Sequence, residues 1–179
     1  MKLRRITSPG DEGFSQLMNL YMEAFPEEER RAVRQLEYLI QAEKSMYFNA
    51  IELDGDLAGF FIYWELGDFY YMEHLAVYAE LRNKKIGQQV LDYIETHLKG
   101  ERLLEVEHPE NEMATRRIRY YERNGYTVVE KNYMQPSYDG KHRELPLWIM
   151  GNRNYEDQNL LAAHIEKIKN EVYIRYQEF

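Results

Sequence analysis

"EHLAVYAELRNKKIGQQVLDYIE", residues 73–95, changes its period partway along. The residues up to Tyr78 continue a β-rich run that begins at Phe69, whereas Ile86, Val90, Leu91, Ile94 and Leu98 trace one face of a helix ending near Gly100. Between strand and helix stand three cations, Arg82, Lys84 and Lys85, in a chain of net charge −8. A helix N-terminus presents unpaired N–H groups and a partial positive charge, so such a turn is built to receive an anion. Taken alone it also reads as a solvated basic loop.

Outward from this segment, "KLRRIT" (2–7) predicts an edge strand, and "SPGDEG" a turn that caps the helix carrying Phe14, Leu17, Met18, Tyr21 and Phe25. Pro26 breaks that helix. A second follows with Val33, Leu36 and Ile40 on one face, and its early acidic residues suit the helix dipole. "MYFNAIEL" and "LAGFFIYWEL" flank an Asp-Gly turn, the strongest hairpin signal in the chain. "RLLEVEH" is a further strand, and "NEMATRRIRYYERNGY" a helix stopped at Asn124-Gly125. "YTVVEKNYMQ" and "ELPLWIM" are two more strands, and the tail from Asn154 carries the stripe Leu161, Ile165, Ile168, Val172 and Tyr176. This order describes an α/β sandwich with a mixed sheet.

The 179 residues, 44% apolar, suffice for one core. No run approaches a membrane span and the start has no apolar signal region, so a soluble, cytoplasmic protein is expected. The absence of cysteine excludes disulfides, thiolate metal sites and a cysteinyl thioester. The negative charge argues against binding to nucleic-acid backbones. The five histidines show no metal-ligand spacing, and no serine-hydrolase elbow, Walker loop or dinucleotide fingerprint is present.

Leu75-Ala76-Val77 followed by Arg82-Asn83-Lys84-Lys85-Ile86-Gly87 resembles the motif of the GNAT (GCN5-related) superfamily of acyl-CoA-dependent N-acyltransferases, a Leu-Ala-Val strand and then R/Q-x-x-G-x-G/A opening a helix. The family's tyrosine-bearing helix end appears as Tyr120-Tyr121-Glu122-Arg123-Asn124-Gly125-Tyr126. The resemblance implies a GNAT-like three-layer sandwich whose central, mixed and mostly antiparallel sheet is flanked by helices. Residues 1–151 would form that acetyltransferase domain, and 152–179 a helical extension packed on it or on a partner subunit, which leaves a homodimer open. It implies acetyl-CoA as cosubstrate, an amine acceptor and no metal, with Leu75, Val77, Arg82, Asn83, Lys84, Lys85, Gly87 and Gln88 holding the cofactor. Two departures stand out. Lysine occupies position 85 where the family has glycine, and Asn111, which opens the family's N-x-x-A pattern, lies one helical turn early, so it is either that motif displaced by an insertion or a helix cap.

A protonated amine needs a base before it attacks a thioester. Glu73, two residues before Leu75, is the first candidate, and Glu105 and Glu107, alternating on one strand face, stand in reserve. His74 points by alternation to the other face and reads as a packed histidine. The resemblance makes Tyr121 the proton donor to the departing thiolate and the Val77 N–H a polariser of the thioester carbonyl. By the same analogy "FPEEERR" (25–31) and "QPSYDGKHREL" (135–145) line the acceptor pocket, where Glu27–Glu29 either attract a cation or start a solvated helix. The implied function is transfer of an acetyl group to a primary amine of a small molecule or peptide. The alternative is a noncatalytic acyl-CoA sensor or interaction module of the same fold.

Overall fold

The computed structural model describes every residue except Asn83 and Phe179. Strands β1 (Lys2–Ile6), β2 (Met46–Leu53), β3 (Asp56–Glu65), β4 (Phe69–Val77), β5 (Glu101–Glu107), β6 (Thr127–Gln135) and β7 (Leu145–Gly151) form one mixed sheet in the order β1-β2-β3-β4-β5-β7-β6. It is flanked by α1 (Phe14–Ala24), α2 (Val33–Ala42), α3 (Ile86–His97), α4 (Glu112–Arg123) and α5 (Gln158–Ile168). β4 and β5 pair in parallel from Phe69↔Glu101 to Met72↔Leu104, and α3 is the crossover that a parallel pair requires. The chain divides into two compact units, Met1–Glu65 with Glu73–Lys99, and Leu66–Met72 with Gly100–Phe179.

In the first unit, β2 and β3 meet through Asp54 and Gly55, both at positive φ (55° and 97°), as a two-residue hairpin turn of the favoured hand requires. Leu17 and Tyr21 of α1, Leu36 and Leu39 of α2, and Phe48, Phe60 and Trp64 of the hairpin are fully buried, each apolar side chain contributing about 1.5–3 kcal/mol. The acidic residues fall elsewhere than expected. Glu27–Glu29 form a separate 3-10 turn, and α2 begins at Val33 with no acidic residue in its first turn. Pro26 and the extended Arg30 isolate that turn from the helix. Likewise "SPGDEG" does not cap α1 with a side chain. Asp11 accepts the backbone N–H groups of Thr7 and Ser8 instead, and Gly13 enters the helix in the left-handed conformation.

The second unit stacks β5, β7 and β6 as antiparallel neighbours. α4 ends as the "NGY" sequence dictates. Gly125 adopts φ 83°, its N–H reaches the carbonyl of Glu122 at 3.1 Å, and the Tyr126 N–H reaches that of Tyr121 at 3.1 Å. These paired bonds around a left-handed glycine are a Schellman closure, with the Tyr121 and Tyr126 rings in contact at 5.8 Å. In the tail, Leu161, Ile165, Ile168, Val172 and Tyr176 are all buried, as the stripe predicts. Beyond α5 the chain winds through a π-helical turn, Lys169–Tyr173, and a 3-10 turn, Ile174–Tyr176. The wider turn buries Tyr173 beside Val172, which a 3.6-residue stripe does not anticipate. Among the described residues no helix is long and apolar enough to cross a membrane.

Gly59 shows why a glycine interrupts β3. A Cβ there would strike the carbonyl oxygen of Ala76 and lie 2.9 Å from the Cα of Val77. Gly59→Ala should therefore destabilise the protein by about 2 kcal/mol or more in denaturant unfolding. An unchanged midpoint would show that the strands have room to part.

Candidate active site

The basic turn is assembled from the end of β4. A 3-10 turn, Ala79–Leu81, follows Val77, and the Arg82 Nε donates back to the Val77 carbonyl at 3.4 Å. Lys85 takes up the left-handed conformation (φ 59°, ψ 21°) immediately before α3, the conformation that glycine adopts without penalty. A lysine there costs on the order of 1 kcal/mol. α3 begins with no side-chain cap and no acidic residue in its first turn, and Lys84 and Lys85 are exposed beside it. The Gln88 carboxamide turns along the helix to Asp92 at 2.9 Å. Leu75, Val77 and Gly87 are half-buried, whereas Asn83 lies outside the described residues.

Glu73 occupies an interior polar cluster in the same unit. Its carboxylate meets the Arg31 guanidinium at 3.1 Å, with the two side chains 1% and 0% exposed, and accepts the indole N–H of Trp64 at 2.7 Å. The Arg31 backbone N–H donates to the Tyr21 hydroxyl at 2.8 Å, so the connector between α1 and α2 is tied to both elements. His74 is packed, as the sequence suggests, with its ring edge-on to Tyr21 and Phe25 and its Nε2 3.1 Å from the Glu29 carbonyl. Arg31 carries no signal in the sequence. Only its partner's position on β4 reveals it.

In the second unit Tyr121 is half-buried against Tyr120 and Tyr126, and its hydroxyl makes no hydrogen bond to another described residue. Burial raises its phenol, opposed by Arg117, so at neutral pH it keeps its proton and is a donor. Asn111 caps α4, accepting the Ala114 N–H at 2.8 Å. Glu107 forms an exposed ion pair with Arg117 at 2.9 Å. Among the described residues, the groups that hold Glu105 are neutral. Its Oε2 accepts from the Gln135 carboxamide at 2.5 Å and from the Tyr173 hydroxyl at 2.8 Å, while its Oε1 is buried without a hydrogen-bond partner among the described residues. Burial pushes this carboxyl above the ordinary range, against the pull of the surrounding hydroxyl and amide donors. Residues of the "QPSYDGKHREL" segment join this interior, with Gln135, Ser137 and Tyr138 buried.

His74 makes the stability depend on pH. Burial lowers its proton affinity, with the nearby Glu73 carboxylate opposing, so the unfolded chain takes up this proton first as pH falls. The stability that the neutral imidazole contributes is present above about pH 6.5 and is lost as pH falls through the lower folded-state value. His164, lowered by burial in the same way, adds to the slope. The two histidines pull the unfolding free energy down on acidification from pH 7 to 5 while Glu105, raised in the folded state, opposes them, and His74→Gln should make the slope of stability against pH less positive than the parent's. An equal slope in the variant would show that His74 keeps its solution affinity.

The sequence profile of the GNAT acetyltransferase family matches residues 14–126. Among solved structures, a Bacteroides thetaiotaomicron protein assigned to the GNAT acetyltransferases superposes with a TM-score of 0.90 at 32% identity, covering 100% of both chains. An aminoglycoside 6'-N-acetyltransferase complexed with coenzyme A gives 0.58 at 16% identity over 88% of this chain and 100% of its own. Arabidopsis thaliana Naa50, bound to a bisubstrate analogue of CoA and a peptide, gives 0.58 at 19% over 86% and 98%. These last two share the fold. No protein of curated function matches the chain. With the profile spanning most of the chain and a 32% identical relative matching throughout, the protein belongs to the GNAT acetyltransferase family.

Proposed function

We propose that this protein transfers an acetyl group from acetyl-CoA to a primary amine of a small molecule or peptide, directly and in a ternary complex. Family membership carries this reading, and the turn at residues 82–88 supports it. A helix start with no side-chain cap among the described residues, beside exposed lysines and with no acidic residue in its first turn, fits a pyrophosphate. Arg82, Asn83, Lys84, Lys85, Gly87 and Gln88 would hold the phosphates, with Leu75 and Val77 along the pantetheine arm. The solved relatives bound to CoA and to a CoA–peptide conjugate act on, or mimic, amine acceptors of both classes. Without cysteine, a cysteinyl acyl-enzyme is not available, which favours direct transfer.

Within this reading the chain supplies a proton acceptor, a carbonyl polariser and a proton donor. The Val77 N–H faces the negative charge that develops on the carbonyl oxygen. Tyr121 delivers its proton to the departing thiolate. Glu73 and Glu105 are the candidate proton acceptors for the amine, and their partners separate their roles. Glu73 is neutralised by Arg31 and acts as a fixed anion on β4. Glu105, with neutral partners and a proton affinity raised by burial above the ordinary carboxylate range, is the better suited of the two to take a proton.

Acetyl-CoA at one hundred times its dissociation constant should stabilise the folded chain by about 2.7 kcal/mol, read as a rise in melting temperature. A panel of polyamines, aminoglycosides and peptide N-termini, followed by mass spectrometry, should then give an acetylated product. Unshifted melting with no heat of binding rejects the cosubstrate, while binding without any product supports an acyl-CoA-binding module. Tyr121→Phe should lower kcat by about 10-fold or more with acetyl-CoA affinity little changed, since it removes a proton donor and little volume. Unaltered turnover with chemistry rate-limiting would leave Tyr121 only its packing role.

A further inference from the structure

The C-terminal turn reaches the interior through the hydroxyl of Tyr173. Tyr173 is fully buried, its ring packs on Tyr138 at 4.8 Å, and its O–H donates to Oε2 of Glu105 at 2.8 Å. A phenol has one proton. Having given it to Glu105, Tyr173 accepts in its other contacts, from the Gln135 carboxamide at 2.9 Å and in the 2.7 Å contact with the Tyr71 hydroxyl. Gln135 bonds the same carboxylate oxygen, so Oε2 is fixed from β6 and from the chain's last turns at once. Oε1 stays buried with no hydrogen bond formed to it among the described residues, and the Tyr133 hydroxyl, which acts on this carboxyl, likewise forms none. The arrangement exists because the helix widens to a π turn over Lys169–Tyr173, which seats Tyr173 inward beside Val172.

We infer that Tyr173 is a positioning residue, which anchors Oε2 of Glu105 and thereby leaves Oε1 as the atom on which that carboxyl exchanges its proton. The inference rests on the reading of Glu105 as the proton acceptor for the amine. It adds that the segment beyond residue 151 is part of the machinery rather than a cover over it. The groups that bear on Glu105 are the hydroxyls of Tyr71, Tyr133 and Tyr173 and the Gln135 amide. Glu144 and Glu166 act on Tyr133 from farther out, and Lys169 stands 5.5 Å from the Tyr133 ring and 3.8 Å from Glu166. A donor to the ionised form favours that form, so losing the Tyr173 hydroxyl should raise the proton affinity of Glu105.

The test is a pH titration of the full chain carrying glutamate labelled with 13C at the side-chain carboxyl. The resonance absent from Glu105→Gln identifies Glu105. Tyr173→Phe, which keeps the ring and deletes the hydroxyl, should move its midpoint upward by about half a unit or more. A midpoint that does not move overturns the inference. Should Tyr173→Phe fail to fold, Gln135→Met removes the other donor to Oε2, and an unmoved midpoint there overturns the arrangement equally. With the acceptor found in the amine panel, the acidic limb of kcat/KM should shift with the resonance. A limb that stays while the resonance moves overturns the assignment of Glu105 as proton acceptor and leaves Tyr173's hold on it standing.

Discussion

A carboxylate that stays ionised away from water needs its charge compensated, and Arg31 does this for Glu73. Both side chains are essentially inaccessible, and loss of one partner from such a pair typically costs about 3–5 kcal/mol because the other is left charged and buried. The pair determines where the connector between α1 and α2 runs. That connector has little regular structure beyond Glu27–Glu29, yet polar contacts fasten it, among them Arg31 to Glu73, the Arg31 N–H to Tyr21, and the Glu29 carbonyl to His74. The aromatic packing of Tyr21, Phe25, Phe60 and His74 is organised around these contacts.

Glu73 and Glu105 illustrate how surroundings set the behaviour of like groups. Glu73 faces a permanent cation and an indole N–H, and its charge is compensated where it stands. Glu105 faces hydroxyls and an amide, which can stabilise a negative charge without cancelling it, so the balance with burial decides its protonation. The first environment makes a fixture, the second a group that responds to pH.

What the sequence makes legible is whatever local geometry demands. The Asp54-Gly55 hairpin needs two positive φ angles, the Tyr121-to-Tyr126 segment needs a glycine to close α4, and the strand–turn–helix at 73–95 needs a change of period; each leaves a mark within a few residues. Lys85 leaves a mark too, since its left-handed backbone is the one expected of the family's glycine. The hidden parts depend on distant partners. Arg31 looks like one of several charges after Pro26 until β4 brings Glu73 to it, and the acidic run Glu27–Glu29 looks like a helix start although α2 begins later. Tyr173 falls out of phase with the tail's apolar stripe, so periodicity passes over the hydroxyl that reaches Glu105.

The π turn has a bearing on how the tail tolerates change. Each residue added to or removed from a regular α-helix rotates everything beyond it by about 100°. The wide turn at Lys169–Tyr173 takes up a residue of slack, so that α5 keeps its stripe inward while the tyrosine after Val172 also faces inward. Side chains on the outer surface of that segment can be exchanged with little effect on this phase, but a one-residue insertion or deletion cannot. The number of residues between Ile168 and Ile174, more than their hydrophobicity, is what the tail contributes to the placement of Glu105.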